Sequence, residues 1–156
     1  MEKRPISAEG HKKLSEELDR LIRIERPAII KEIEIARGHG DLSENAEFTY
    51  AKEKHGLIET RIRDLQERLD SCQVVDLSNR PDPERVVFGC SVTIEDVDTN
   101  ERRVFKLLGQ DETDISQGVI SVSSPLGKAL IGKEVQDVVE VKTPNGVREY
   151  EILDIA

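Results

Sequence analysis

Gly38-His39-Gly40-Asp41-Leu42-Ser43-Glu44-Asn45 separates two long stretches of helical periodicity, and its reading decides the fold. Two glycines directly after Arg37 end a helix and turn the chain, and Asp41 or Ser43 carries the side-chain oxygen needed to cap the helix that follows. On the N-terminal side, Leu14, Leu18, Leu21, Ile22, Ile29, Ile33 and Ala36 recur between charged positions as the stripe of an amphipathic helix. Ser7 is placed to cap its start, and Pro27 lies inside the stripe, where it removes one backbone bond and kinks the helix rather than ending it. On the C-terminal side, Ile58, Ile62, Leu65, Leu69 and Cys72 step 4-3-4-3, a heptad seam of the kind that packs one helix along another. Two seams joined by a tight turn predict an antiparallel coiled-coil hairpin over residues 1–77. Arms of about 30 residues reach about 45 Å at 1.5 Å per residue, longer than a core of this size requires.

Beyond Leu77 the period changes. The stretch 78–84, rich in Pro, Asp and Asn, reads as a linker, and strand-like segments follow at Val86–Ile94, Arg103–Leu108, Gly118–Val122, Val138–Lys142 and Val147–Ile155. Pro144-Asn145-Gly146 supplies a hairpin turn between the last two. A short helix fits Ser124–Ile131, with Ser124 as N-cap, Pro125 in the first turn and Gly132 past the end. Residues 85–156 therefore read as a small antiparallel α+β domain, and the whole chain as α+β.

Composition narrows the function. The chain has 156 residues and a net charge of −9 from 23 basic and 32 acidic side chains, which argues against holding nucleic acid mainly by phosphate neutralisation. With no Trp, two Tyr and three Phe, it lacks the stacking platforms of single-strand binders. Cys72 and Cys90 match no common zinc spacing and support no disulfide scaffold. No apolar run approaches the ~20 residues that cross a bilayer, so no membrane role is expected and the cytoplasm is the expected location.

Chemistry concentrates at the turn. Asp41, Glu44 and Glu47 are three residues apart, so their carboxylates share one side of a turn or first helical turn. Hard oxygen donors suit Mg²⁺ better than zinc, yet two carboxylates hold it poorly unless another molecule completes the shell. The same acids also suit a helix N-terminus, where they stabilise the macrodipole by ~0.3–1 kcal/mol without any further role. Lys54, Arg61 and Arg68 recur every seven residues beside the apolar seam. They either pair with acids such as Glu25 and Glu32 on the first helix or form a basic stripe facing RNA, and the heptad pattern favours pairing.

The gapless run Ala36-Arg37-Gly38-His39-Gly40-Asp41-Leu42-Ser43-Glu44-Asn45-Ala46-Glu47-Phe48 resembles the tip signature of the bacterial Gre transcript-cleavage factors. The resemblance continues through Arg26-Pro27, Phe88-Gly89, Ile120–Pro125, Ala129–Lys133 and Lys142–Pro144, so it covers nearly the whole chain. It implies an N-terminal coiled coil and a C-terminal domain similar to FK506-binding proteins, acting together as an accessory factor of bacterial RNA polymerase. The hairpin is then expected to enter the polymerase secondary channel. Asp41 and Glu44, matching the family's two functional acids, would share a Mg²⁺ with the polymerase active site and promote cleavage of backtracked RNA near its 3′ end. The free protein is not expected to bind that ion tightly. Arg37, Gly40, Leu42, Ser43, Asn45, Phe48 and Lys52 are expected to support the tip, with Phe48 standing where many relatives carry tyrosine. Ser121, Ser124, Pro125 and Gly132 are the expected polymerase-docking positions. Two other readings remain open: a channel-binding inhibitor of transcription without cleavage activity, and an FK506-binding-type isomerase or adaptor.

Overall fold

The computed structural model describes residues 3–40, 45–78 and 80–156. The chain divides into two compact units, one formed by His11–Ser71 and the other by the residues up to Gly10 together with Cys72–Ala156.

The first unit is the expected hairpin. α1 (Ala8–Arg20), a π-helical turn (Leu21–Glu25) and α2 (Arg26–Arg37) form one arm, and α3 (Ala46–Ser71) forms the other. The buried positions of the first arm are Leu14, Leu21, Ile29 and Ala36, spaced 7, 8 and 7 residues. The single step of eight coincides with the π-turn, whose extra residue per turn returns the stripe to the inner face. Pro27, in the first turn of α2, explains why the turn is there. It has no N–H for the Arg23 carbonyl and its ring crowds that group, and the wider turn, with Arg26 N–H donating to the Leu21 carbonyl, opens the ladder at this point. The second arm keeps strict sevens through Ala51, Ile58 and Leu65, with Ile62 between them.

The polar flanks differ from the expected pairing in detail. Arg61 reaches across to Glu17, with Nε–Oε1 2.9 Å and Nη2–Oε2 3.0 Å, and Arg68 pairs with Asp64 on its own helix at 3.0 Å. Glu25 instead lies 3.9 Å from Arg20. A second fork joins Arg26 to Glu59 at 2.7 and 3.0 Å and holds the Glu59 carboxyl below its ordinary pKa.

In the second unit, β1 (Arg4–Ser7) pairs in parallel with β2 (Cys72–Val75), Arg4 opposite Cys72 and Ser7 opposite Val75. This pairing moves the boundary: the residues around Ile6 and Cys72–Val75, assigned above to the hairpin, pack with the sheet unit. Ile6 is fully buried, and Cys72 lies in β2 rather than on the helical seam. Ser7 caps α1 as expected, its Oγ accepting from Gly10 N–H at 3.1 Å. Glu112 fastens the same residue, accepting from Ser7 N–H at 3.0 Å and from the Ser7 hydroxyl.

The main sheet has the order β5-β4-β3-β7-β6, built from β3 (Ser91–Asp96), β4 (Arg102–Leu108), β5 (Val119–Ser121), β6 (Val138–Thr143) and β7 (Gly146–Ile155). All neighbours are antiparallel except β4 and β5, so the sheet is mixed and the class remains α+β. α4 (Pro125–Leu130) follows β5. Val86, Val92, Ile94, Leu107, Leu130 and Ile152 form the centre of the core. The strand expected from Val86 begins later, at Ser91, because the backbone of Val86 pairs with Gly132 N–H (2.8 Å) and the Lys133 carbonyl (2.9 Å).

At the end of β3, Asp96 is 5% exposed and closes a turn. It accepts from Asp98 N–H at 2.9 Å, Thr99 N–H at 3.2 Å and Arg148 Nη1 at 3.0 Å. These bonds, the Asp98 amide first, hold its carboxyl below the ordinary aspartate pKa. A depressed folded-state pKa contributes stability that is complete above the unfolded value of about 4 and is lost as pH falls through the folded value. Asp96→Asn is therefore expected to lower the melting temperature at neutral pH and to weaken its fall on acidification below about pH 4, read by circular dichroism. An acid dependence equal to that of the unaltered protein would contradict this account.

Candidate functional site

The frame of the hairpin tip is described on both sides of residues 41–44. The expected acids Asp41 and Glu44, with Leu42 and Ser43, lie outside the described residues.

At the end of α2 the chain tightens. Gly38 N–H donates to the Ile35 carbonyl at 3.1 Å, His39 N–H to Ala36 at 3.1 Å and Gly40 N–H to Arg37 at 3.4 Å. Gly38 keeps a helical backbone, whereas Gly40 has φ +104°, a conformation that favours glycine. On the other side Asn45 caps α3, its Oδ1 accepting from Phe48 N–H at 3.1 Å. Asp41 and Ser43 were the expected caps, but the position belongs to Asn45. Its Nδ2 also donates to the Ala36 carbonyl at 2.7 Å, so one amide serves the end of α2 and the start of α3.

The side chains around this frame are polar outside and small inside. Ala36 and Ala51 are buried at 2% and 3% exposure, which lets the arms close on one another near the turn. Phe48 is half-buried, with the Arg37 guanidinium 5.9 Å and the Lys52 ammonium 5.4 Å from its ring centroid. Both contacts lie within cation–π range, so Phe48 holds two exposed cations close to the turn. Glu47, grouped with the acids by spacing, faces His39 instead, with Oε2 3.1 Å from Nδ1. Among the described residues, no three His, Cys, Asp or Glu side chains converge into a metal-holding group.

The expected docking positions cluster around α4. Ser124 caps this helix, accepting from Gly127 N–H at 3.1 Å, while its hydroxyl donates to the Ser121 carbonyl at 2.6 Å. Ser121 is 7% exposed, and its hydroxyl lies 2.6 Å from that of Ser123. Pro125 occupies the first turn, and Gly132 borders an apolar cleft of about 590 Å³. Val86, Val87, Phe88, Val122, Ile131 and Pro5 line the cleft, with Arg85 and Lys128 also contributing. Pro5 could not be anticipated as a neighbour of α4, because the β1–β2 pairing that brings it there left no periodic signal.

Two family profiles cover almost the entire chain: "Transcription elongation factor, N-terminal" matches residues 4–74, and "Transcription elongation factor, GreA/GreB, C-term" matches residues 80–156. The chain belongs to the GreA/GreB family of transcription elongation factors. Transcription elongation factor GreA of Pelobacter propionicus is 52% identical over 151 residues, 97% of this chain and 95% of that protein. GreA of Thermodesulfovibrio yellowstonii is 53% identical over 152 residues, 97% of this chain and 96% of that protein. Among solved structures, GreA factor homolog 1 (Gfh1) of Thermus thermophilus is 26% identical, covering 100% of this chain and 99% of that one, with a TM-score of 0.46. Within the GreA/GreB family the chain stands on the GreA side, and the resemblance first drawn from the tip extends over both halves. The role that membership carries is that of a transcription elongation factor, an accessory protein rather than an enzyme.

Proposed function

We propose that this chain acts on bacterial RNA polymerase by placing its hairpin in the secondary channel and stimulating the polymerase's own cleavage of backtracked RNA. The observation that carries this reading is the unbroken run Ala36–Phe48, set between two long helices in a chain matched by both Gre family profiles. The reading places the protein in the cytoplasm, where the polymerase works, and gives it the RNA 3′ end as an indirect partner. No helix among the described residues is long and apolar enough to cross a membrane.

The hairpin's part is presentation. Asp41 and Glu44 offer two hard oxygen donors, a set that fits Mg²⁺ in chemistry but needs further oxygens from the polymerase and the RNA phosphate. Bound there, the ion would supply charge stabilisation for an in-line phosphodiester cleavage. Asp41 and Glu44 would hold that ion and orient the attacking water. Arg37 and Lys52, held against Phe48, lie close enough to the turn to meet RNA phosphate. The α4 region, with Ser121, Ser124, Pro125 and Gly132 and the adjoining apolar cleft, is the docking surface for the polymerase.

A defined backtracked polymerase, incubated with and without the full chain across a Mg²⁺ titration, tests the proposal. Internal RNA cleavage is expected to accelerate with the protein present, and the protein alone is expected to cleave nothing. Slowed nucleotide addition with no gain in cleavage would replace this reading with that of a channel inhibitor.

A further inference from the structure

Thr143 and Gly146 close a hairpin over the two-residue turn Pro144-Asn145, and this sets which backbone groups of β6 are already used. Bonded and non-bonded pairs alternate along an antiparallel ladder, so Thr143, Val141 and Val139 bond to β7, while Lys142 and Glu140 turn their N–H and C=O groups outward. Glu149, opposite Glu140, has the same phase: its carbonyl faces away from β6 and accepts from Val97 N–H at 3.1 Å. β6 is an edge of the five-stranded sheet, and among the described residues no backbone group of another segment pairs with Glu140 or Lys142. The side chains alternate in step. Val139 and Val141 are buried, whereas Glu140 and Lys142 are exposed on the opposite face. Glu140 stands across from Glu149, a like-charged pair, and among the described residues neither of them nor Lys142 has an ion-pair partner.

We propose that β6 is an association surface for a second copy of this chain, which adds its own β6 antiparallel across a dyad at Val141 and joins the two sheets into one. In that register Glu140 of each copy meets Lys142 of the other, twice by symmetry, and both residues present the outward-facing groups that a bonded pair needs. The second copy's Lys142 also supplies the counter-charge that the Glu140–Glu149 pair lacks. Moving the dyad to Glu140 sets two glutamates opposite one another, and moving it to Lys142 sets two lysines opposite, so charge selects the register. Charges on an edge strand ordinarily discourage pairing, and Glu-Val-Lys does so for every alignment but its own complementary one. Pro144, with no N–H to donate, ends the ladder and keeps the interface short, so the dimer is of the weak class that fills only at high protein concentration.

Sedimentation velocity on the full chain, from dilute to near-millimolar protein, reads the association directly. Glu140→Lys and Lys142→Glu, each made alone, are expected to weaken it about 10-fold, since either change sets like charges opposite one another at both symmetric places. The double variant Glu140→Lys/Lys142→Glu exchanges the charges, restores the complementarity and is expected to regain most of the lost affinity. Both positions are exposed, so circular dichroism is expected to be the same in all four proteins. Amide exchange followed by NMR locates the contact: the Glu140 and Lys142 amides are expected to gain protection as concentration rises, while Val141, bonded to β7, is protected throughout. A wild-type chain that stays monomeric across the series overturns the inference. So does a dimer that both single variants leave unchanged, which places the interface elsewhere, and so does a loss that the charge exchange fails to repair.

Discussion

Asp41→Asn and Glu44→Gln, each made alone, are expected to leave polymerase binding near its original level and to reduce stimulated RNA cleavage by on the order of 100-fold or more. Each replacement preserves size and keeps a carbonyl oxygen, but removes the full negative charge that a hard divalent cation selects. One carboxylate fewer leaves Mg²⁺ to be held by the polymerase, the phosphate and a single acid, so excess Mg²⁺ is expected to recover part of the lost rate. Binding should survive because the helical seam from Leu14 to Leu65 and the α4 region do not depend on either charge. Cleavage and binding must both be measured on the same stalled complex. Full cleavage in the two variants would remove the acids from the mechanism.

Gly127→Ala is expected to destabilise the sheet unit strongly. A Cβ at this position would stand 2.1 Å from the Ser121 carbonyl oxygen and 3.1 Å from its carbon, with Val122 Cα at 3.0 Å. All three are backbone atoms, so no side chain can swing aside. α4 has six residues and is fixed at its start by Ser124, and moving it outward would draw the fully buried Leu130 from the core. Overpacking of this kind costs about 3 kcal/mol. Chemical denaturation of the full chain should show the loss in the transition of the sheet unit, and polymerase affinity should weaken with it, since Lys128 and Ile131 line the neighbouring cleft. A denaturation midpoint equal to that of the unaltered protein would contradict the close approach.

How much of this was legible depended on the range over which each feature is encoded. The hairpin arms were readable because burial repeats along each helix, and even the π-turn left a trace in the eight-residue step from Leu21 to Ile29. The α4 cap was readable for the same local reason: Ser124-Pro125 and Gly132 bracket it. β1 and β2 were not, since each has four residues, one contains a proline, and their pairing joins positions 68 apart, Arg4 with Cys72. The partner of Arg61 was missed because heptad spacing nominates several acids, and side-chain reach selected Glu17. At the tip, Asp41, Ser43 and Asn45 all have capping side chains. Choosing among them requires knowing that the Ala36 carbonyl lies within reach of an amide, which is a contact between arms and invisible to a linear reading.

The parallel pairing of β1 with β2 brings the strand before the first arm beside the strand after the second. The hairpin leaves after Ser7, at one end of this pair, and returns at Cys72, opposite Arg4 at the other end, so one two-stranded ribbon holds both ends of the insert, the arrangement expected of an insertable cassette. Residues 11–71 should be exchangeable as a block with the corresponding segment of another family member, leaving the receiving scaffold's core untouched.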